Sequence, residues 1–300
     1  MTYLQSAVTV ATWRDYVQLC KPRVVLLMLL TAIVGMCLAA PGAPPLDLVA
    51  AGIVGIALVA GSAAVVNHVA DAHVDQTMKR TQARPVAQGR IAPPQALLFS
   101  GLLGLTGMLV LTLLVNPLTA LLNLISWVGY GLIYTLYLKH RTPQNIVIGG
   151  LFGAAPPLFG WTAITGTISV EPLLLVLIIF VWTPPHFWAL ALARLDDYRG
   201  AGVPMLPITH GVIYTRRSVM AYTALLAVVS ALPVVVGMAG LVYLGVVLVL
   251  NLRFLYWARK VLAGDRVAPM KTFRYSIFYL GVLFLALLLD HYLILVTSLV

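Results

Sequence analysis

The sequence predicts an all-α polytopic membrane protein with nine transmembrane helices. Of its 300 residues, 61% are hydrophobic and only 9% are charged, and the mean hydropathy is +0.98. Soluble globular domains carry about 25% charged residues, so this composition excludes them. Apolar segments of roughly 18 to 24 residues, long enough to cross a bilayer, recur along the chain. They are residues 24–40, 46–66, 96–115, 118–138, 145–165, 173–193, 218–238, 241–257 and 273–297.

The distribution of basic residues predicts the orientation of these helices. All 19 Lys and Arg residues precede the first segment, follow the second, fourth or sixth, or surround the join between the eighth and ninth. If nine spans alternate, these residues share one side, which the excess of Lys and Arg in cytoplasmic loops identifies as the cytoplasm. The N-terminus is then cytoplasmic and the C-terminus outside, in the cell (inner) membrane. The net charge of +10 reflects this topology, and we expect no nucleic-acid partner.

The chain is expected to form one transmembrane domain over residues 1–300. Two acidic sites, each at the inner end of a span and four spans apart, indicate a distant duplication. Its halves are expected at about 20–140 and 145–260, followed by a last helix at 273–297. Two long cytoplasmic loops, at about 70–95 and 194–217, are predicted to carry the active site, because long loops in compact folds are usually functional or disordered.

The first loop begins with three polar residues, Asn67, Asp71 and Asp75, spaced four apart. On a helix this spacing places their side chains on one face. Two carboxylates one turn apart and an amide oxygen suit Mg²⁺, which substrate phosphates also ligate. A solvated helix end with i,i+4 ion pairs is the alternative. Cations that would suit a metal-bound diphosphate follow at Lys79, Arg80 and Arg84.

The sixth predicted span carries the second candidate site. Pro184 and Pro185 are expected to break the helix inside the membrane, and the freed backbone groups would then line a cavity. His186 follows directly; an intramembrane histidine is a candidate functional group, and bonding to a freed carbonyl is the structural alternative. Charged residues reach the inner surface shortly afterwards, at Arg194, Asp196 and Asp197.

Two other basic stretches are given structural interpretations. Lys21-Pro22-Arg23 precedes the first span, where proline suits a helix start and the cations anchor the interface. Contact with an anionic ligand is the alternative for this stretch. The basic connection at residues 258–272 is interpreted as a surface that faces anionic lipid.

The two acidic motifs together resemble those of a known superfamily. The pattern from Asn67 to Pro85, N-x-x-x-D-x-x-x-D-x-x-M-x-R-T-x-x-R-P, is similar to the first aspartate-rich motif of the UbiA-type intramembrane prenyltransferases. Within that superfamily, P-H-F-W-A-L-A at residues 185–191, with Asp197-Tyr198 and A-G-V-P-M-L-P at 201–207, looks like the heme O synthase branch. The resemblance covers essentially the whole chain, including the nine spans.

The resemblance implies a reaction and its cofactor. The farnesyl group of farnesyl diphosphate would be transferred to a vinyl group of heme B, with addition of water, to give heme O and diphosphate. Mg²⁺ would be the cofactor, heme B a substrate, and a heme A synthase or oxidase-assembly protein a partner. The implied metal ligands or their supports are Asn67, Asp71, Asp75 and Asp197, with Asp196 as a lesser candidate. The implied diphosphate contacts are Arg80, Arg84, Arg194 and Lys79.

One departure from the superfamily bears on the substrate. Many quinone-type members carry two acids along the sixth helix, where this sequence has His186 and Ala193. This weakens a quinone assignment and favours Asp197 as the second-site contact. His186 is a candidate ligand of the heme iron, with His73 and His68 as rivals. A sister enzyme acting on an aromatic or quinone precursor is the alternative function, and a secondary transporter is a remote one, because broken helices also bind transported substrates.

Overall fold

The computed structural model describes the backbone of residues 11–298. Within that range the chain is helical and contains no strand, and nine segments are long and apolar enough to cross a membrane. Each overlaps one predicted span, so the fold class and the number of spans are confirmed. The segments are Pro22–Ala39, Leu46–Ala70, Pro93–Leu114, Pro117–Leu138, Asn145–Thr165, Val170–Ala193, Val212–Val235, Leu241–Leu262 and Ala268–Thr297.

Several spans are built from more than one helix, and short helices lie between them. Residues Val128–Leu138 form a π-helix, here called the π segment. The α-helices are α1 (Trp13–Leu19), α2 (Pro22–Ala39), α3 (Leu46–Ala70), α4 (Ala72–Thr77), α5 (Pro93–Leu114), α6 (Pro117–Trp127), α7 (Lys139–Arg141), α8 (Asn145–Gly153), α9 (Pro156–Thr165), α10 (Val170–Ala193), α11 (Leu195–Gly200), α12 (Leu206–Thr209), α13 (Val212–Val229), α14 (Leu232–Val235), α15 (Leu241–Leu262) and α16 (Ala268–Ser298).

Local sequence explains where many of these helices begin. Pro22, Pro93 and Pro117 occupy the first turn of α2, α5 and α6, where proline loses no helical hydrogen bond. Asn116 caps α6, because its side-chain oxygen accepts the backbone N–H of Thr119 at 2.9 Å. Such caps satisfy amide groups that a helix start leaves unpaired.

The sixth span does not break at its two prolines, contrary to the prediction. Helix α10 continues from Val170 to Ala193 through Pro184 and Pro185. Neighbouring polar side chains bond to backbone carbonyls around this point: the Thr183 hydroxyl donates to Ile179, and the Trp182 indole donates to Ser276 on α16. Tertiary packing therefore holds the helix continuous where the local sequence favours a break.

Glycines allow α2 and α9 to pack closely. A Cβ added to Gly160 of α9 would lie 1.9 Å from the carbonyl oxygen of Ala32 on α2, and one added to Gly35 would lie 2.2 Å from that of Pro157. Only glycine permits this approach of two helix backbones. The largest apolar core lies in the second half, among α10, α13, α15 and α16. The predicted duplication stays a prediction.

The basic residues gather at one end of the bundle, here called the basic end. Lys21 at the start of α2 contacts Asn67 at the end of α3, and Lys139 after the fourth span contacts Asp71. These helix ends therefore lie together. One loop boundary differs from the prediction: the second long loop ends at Gly211, since α13 begins at Val212 and includes Arg216 and Arg217.

Candidate active site

The first acidic motif keeps its helical register across a joint between two helices. Helix α3 ends at Ala70 and α4 begins at Ala72, with Asp71 between them. The Asp71 N–H donates to the Asn67 carbonyl at 3.0 Å, and the Asp75 N–H donates to the Asp71 carbonyl at 2.8 Å. The residues are buried, with exposed fractions of 4% for Asn67, 2% for Asp71 and 4% for Asp75. The four-residue spacing thus brings all three to one place, as predicted.

Cations from distant parts of the chain pair with this motif. The Lys139 ammonium lies 2.5 Å from Oδ2 of Asp71. Arg84 Nη1 donates to both oxygens of Asp75, at 2.9 and 2.7 Å. The partners are 68 and 9 residues away in sequence, and the carboxylates are buried. A solvated helix end with i,i+4 pairs therefore does not describe this motif.

Lys21 completes this group of cations. Its ammonium donates to Oδ1 of Asn67, and its backbone adopts a left-handed conformation, with φ of 50°, which is uncommon for a residue other than glycine. Burial lowers the pKa of Lys21 to about 7, helped by the positive charges of Arg84 and Lys139 and opposed by Asp71 and Asp75. The interpretation of Lys21 as only an interface anchor is therefore incomplete.

Lys139 was not predicted from the sequence as a site residue, and Lys21 was predicted only as an interface anchor with an anionic ligand as the alternative. Both residues lie at span ends on the same predicted side as the acidic motif, and that shared position was the signal available in the sequence. Position alone, however, did not distinguish them from the other basic residues of the same face. Their contacts with Asp71 and Asn67 do.

The π segment supplies a third partner to Asn67. The Asn67 amide donates to the Thr135 hydroxyl at 3.3 Å, and that hydroxyl donates to the carbonyl of Tyr130 at 2.8 Å. Thr135 is fully buried. Because the amide nitrogen is held by Thr135, the amide oxygen faces Lys21. A π-helix inserted in a span is often found at functional sites, and here it places Thr135 against the motif.

The second motif meets the first through its tyrosine. Tyr198 on α11 is buried in an apolar cluster with Met78 and Val74 of the first loop and Ala191 of α10. Arg80 lies beside its hydroxyl. Burial raises the pKa of that hydroxyl, and the charges of Arg80 and Arg84 partly offset the rise. The two predicted loops therefore contact each other at the basic end.

Asp197 precedes this tyrosine and pairs with Arg194, whose Nη1 lies 3.8 Å from the carboxylate. Both remain partly accessible. Asp196, in contrast, has a side chain that is 95% exposed and pairs with Arg199 at 3.3 Å. The structure thus supports Asp197 over Asp196 as a site residue.

The other predicted site residues divide by burial. Lys79 and His73 are exposed. His68 is buried beside Asn67, and neither ring nitrogen has a hydrogen-bond partner among the described residues. No polar atom holds this ring in a fixed orientation, so the structure gives His68 no defined partner.

The His186 side chain contacts α16. Its Nδ1 shares a hydrogen bond of 2.6 Å with the Ser276 hydroxyl, and its ring stacks on Trp182 at a centroid distance of 4.3 Å. The next residue, Phe187, packs into the apolar cluster around Tyr198. His186 therefore bonds a side chain rather than a freed carbonyl, and none of the described residues hydrogen-bonds its Nε2.

The donor set of the first motif fits a magnesium ion. Within residues 11–298, no three His, Cys, Asp or Glu side chains cluster as a metal site by themselves, so an amide and a substrate phosphate would have to complete the shell. Oδ1 of Asp71 is buried without a partner in that range. Such an oxygen costs free energy unless a cation or a donor reaches it, and carboxylate oxygens are ligands that Mg²⁺ takes.

Two asparagines deep in the described part of the bundle, Asn145 and Asn123, donate to nearby backbone carbonyls. Asn145 donates to the carbonyls of Lys139 and Thr142, and Asn123 donates to that of Thr119. These bonds are local, so both amides stabilise their own helix ends. The secondary-transporter alternative gains no support from them.

Comparison with known proteins places this site in a family. The model of the UbiA prenyltransferase family matches residues 28–295, which include both acidic motifs and nearly all nine spans. The chain belongs to the UbiA prenyltransferase family. Members carry out prenyl transfer within membranes, so the UbiA-family protein described here is a multi-pass membrane enzyme.

Curated relatives match most of this UbiA-family protein. A protein of Legionella pneumophila (strain Paris) is 59% identical over 281 residues, covering 93% of this chain and 96% of the relative. A protein of Marinobacter nauticus is 58% identical, covering 94% of this chain and 93% of the relative. Both are named protoheme IX farnesyltransferase.

Solved structures show the same fold. A digeranylgeranylglyceryl phosphate synthase superposes with a TM-score of 0.77 at 19% identity, covering 93% of this chain and 98% of the other. A UbiA homologue from Archaeoglobus fulgidus, bound to GPP and Mg²⁺, superposes with a TM-score of 0.63 at 16% identity, covering 91% and 99%. The UbiA-type bundle predicted from the sequence is therefore confirmed.

Proposed function

We propose that this protein is a protoheme IX farnesyltransferase. It transfers the farnesyl group of farnesyl diphosphate to a vinyl group of heme B, with addition of water, and releases heme O and diphosphate. The observation that carries the proposal is the joining of two acidic motifs and three buried or partly buried cations at one end of the bundle. The relatives named protoheme IX farnesyltransferase, at 58 and 59% identity, favour heme B over an aromatic or quinone acceptor.

The cations perform the first chemical task. Farnesyl diphosphate reacts when its C–O bond ionises, and negative charge then develops on the departing diphosphate. Lys21, Lys139 and Arg84 lie around Asn67, Asp71 and Asp75. The positive charges of Lys139 and Arg84 are therefore already in place when that charge develops, and Lys21 adds a third when it is protonated. Fixed charges in a site with little water stabilise a transition state more than mobile solvent does. Arg80 and Arg194 extend the positive surface towards Tyr198 and Asp197, and the exposed Lys79 is a peripheral contact.

Mg²⁺ is the proposed cofactor. When bound, it neutralises diphosphate charge and promotes departure of the leaving group. Asn67, Asp71, Asp75 and Asp197 would hold it, directly or through water. The ammonium of Lys139 and the guanidinium of Arg84, which neutralise the carboxylates here, would then be available to the diphosphate oxygens.

The bundle provides the apolar surroundings that an allylic cation needs. An apolar cavity of about 420 Å³ lies between α3, α5 and the π segment, beside the residues that precede and follow Asn67. Val66 and Val69 form one wall, and Leu132 and Leu136 form the other. This cavity, whose Leu97, Leu132 and Leu136 side chains are exposed at the surface of the bundle, would hold the apolar farnesyl chain.

His186 is the proposed ligand of the heme iron. Histidines that bind a metal through one ring nitrogen usually have the other held by a hydrogen bond. In His186 the bond from Nδ1 to Ser276 would fix the ring and direct Nε2 to the iron. The exposed position of His73 and the absence of a holding bond at His68 make these two weaker candidates.

The protein is proposed to lie in the inner membrane of the cell, with its active site facing the cytoplasm. The gathering of basic residues at the same end supports this orientation, with the N-terminus inside and the C-terminus outside. A heme A synthase or oxidase-assembly partner stays a prediction from the resemblance.

Product formation by the purified protein tests this function. Protein in detergent with farnesyl diphosphate, heme B and Mg²⁺ should yield a heme heavier by one farnesyl and one hydroxyl group, identified by mass spectrometry. Chelation of the metal should stop the reaction. Prenylation of an aromatic quinone precursor with no heme product would instead show that the protein is the sister enzyme.

A further inference from the structure

We infer that a second cavity at the basic end, lined by Arg216 and Arg266, binds the propionate carboxylates of the heme substrate. The inference rests on the proposed function, because it requires that heme B binds. The cavity, here called the arginine cavity, has a volume of about 260 Å³. Its apolar wall is formed by Leu192, Leu195, Val212 and Pro269. An apolar wall with cations at one side suits the edge of an amphiphilic ring that carries acids.

Arg216 is the main anion-binding group of the arginine cavity. It lies in the second turn of α13 and is partly buried. Its guanidinium packs against the turn at Gly264, where an added Cβ would lie 3.0 Å from Nη1. No described residue within 11–298 forms a hydrogen bond or an ion pair with its side chain. The guanidinium keeps contact with solvent and has no partner among the described residues, so it is available to an external anion.

Asp265 also lines the arginine cavity but is engaged by the backbone. Its Oδ1 accepts the N–H groups of Val267 at 2.8 Å and Ala268 at 3.1 Å, at the start of α16. These two bonds lower the pKa of Asp265. The carboxylate lies more than 4.0 Å from every Arg nitrogen of the cavity, since no ion pair joins them. It therefore organises the helix start and leaves both arginines available.

The register between α10 and α16 relates the arginine cavity to His186. His186 contacts Ser276 across these antiparallel helices. Leu192 is six residues further along α10 and Pro269 seven residues back along α16, and both line the cavity. At about 1.5 Å per residue, these cavity-lining residues are displaced by roughly 9 to 10.5 Å along the helix axes from His186 and Ser276, towards the basic end. Pro269 and Ser276 also share one face of α16, because seven residues make nearly two turns.

This separation suits the shape of the proposed substrate. The two propionates of heme leave the same edge of the porphyrin, and their carboxylates reach about as far from the iron as the cavity lies from His186. An iron bound near Nε2 of His186 would therefore allow the propionates to reach Arg216 and Arg266. Guanidinium groups are well matched to carboxylates, which they bind through paired hydrogen bonds.

A binding titration with an altered ligand tests the inference directly. The probes are heme B and its dimethyl ester, in which both carboxylates are blocked, and binding is followed by absorbance of the detergent-solubilised full chain. The wild type should bind heme B at least about tenfold more tightly than the ester, as expected for charged hydrogen bonds. Arg216→Gln should lose that preference, with ester affinity unchanged. Arg216→Lys should keep part of it.

Arg217→Gln is the matched control, because it removes the same charge from the adjacent, exposed residue, which does not line the arginine cavity. It should keep the full preference. Binding of pyrophosphate should remain unchanged in all three variants, which shows that they are folded and that the acidic site is intact. Loss of pyrophosphate binding in Arg216→Gln would indicate misfolding of that variant. The inference would then be tested by Arg216→Lys, which should keep part of the preference for heme B over its ester.

Three results would overturn the inference. The first is equal affinity of the wild type for heme B and its ester while heme O is still formed, which leaves the proposed function in place. The second is an equal loss of both affinities in Arg216→Gln, which indicates a structural role. The third is an Arg216→Gln variant that keeps the preference for heme B over its ester but copurifies with less phospholipid phosphate than the wild type. That result would assign the arginine cavity to a lipid headgroup. Absence of both heme binding and heme O would reject the proposed function as well.

Discussion

The Lys139 ammonium lies 2.5 Å from Oδ2 of Asp71, while Oδ1 of the same carboxylate is buried and has no partner within residues 11–298. One carboxylate thus has one neutralised and one unsatisfied oxygen. The pair joins the end of the second span to the end of the fourth. It neutralises part of the charge on Asp71 and leaves one oxygen able to bind a further cation, which is the arrangement a metal-dependent site requires.

Asp71→Asn is expected to reduce heme O formation by about 100-fold or more, because an amide oxygen is a weaker metal ligand and the loss of a preorganised charge interaction has effects of this size. Asp75→Asn should act similarly. Product formation by purified, membrane-inserted protein measures the effect. Asp196→Asn is the control, since its side chain is 95% exposed and contacts Arg199 alone. Full turnover in Asp71→Asn would remove this residue from the metal site.

Lys139→Gln is expected to destabilise the protein by about 1 to 3 kcal/mol, because a buried oxygen of Asp71 loses its hydrogen-bond partner. The double variant with Asp71→Asn should recover much of the loss, since neither partner is then charged. The midpoint of thermal unfolding in detergent measures both. Additive effects of the two substitutions would show that the pair has no mutual contribution to stability.

Lys21 is expected to make pyrophosphate binding pH-dependent. Since the pKa of Lys21 is lowered to about 7, its ammonium loses its proton as pH rises through that value. At about pH 8 only about a tenth of the lysines would be charged, so affinity should fall by up to about tenfold relative to a permanently charged side chain. Isothermal titration of pyrophosphate from about pH 6 to about pH 8 measures this.

Lys21→Arg is the reference for that titration, because arginine stays charged throughout this range and because the ionisation of pyrophosphate affects both proteins equally. The ratio of the two dissociation constants should therefore change with pH. A constant ratio would mean that Lys21 keeps its charge over this range.

Thr135→Val is expected to lower activity by about two- to tenfold, the size of one lost hydrogen bond. Without the hydroxyl, the Asn67 amide nitrogen has no acceptor and the amide oxygen is no longer held towards Lys21. The Mg²⁺ concentration for half-maximal activity should rise, and Thr135→Ser should restore it. A loss of stability with an unchanged Mg²⁺ requirement would show that Thr135 only supports the π segment.

His186→Phe is expected to abolish or shift the absorbance of bound heme, because phenylalanine keeps the stacking on Trp182 and cannot bind iron. His73→Phe and His68→Phe should leave the spectrum unchanged. Difference spectra of the purified variants with heme B measure this. A normal spectrum in His186→Phe, together with a changed one in His68→Phe, would transfer the role to His68.

The spans and the acidic motif were predictable because they depend on local sequence. A bilayer accepts only chain segments that satisfy their own backbone hydrogen bonds, so apolar length alone determined nine helices. The spacing of Asn67, Asp71 and Asp75 fixed their common face, since i→i−4 bonds persist through the joint after Ala70. The basic side followed from counting Lys and Arg against those spans.

Tertiary structure decided which groups meet. Lys139 reaches Asp71 across 68 residues. The continuity of α10 through Pro184 and Pro185 was also beyond local reasoning. In each case the outcome depends on the direction of a side chain and on partners from other helices, and these are determined only when the helices pack.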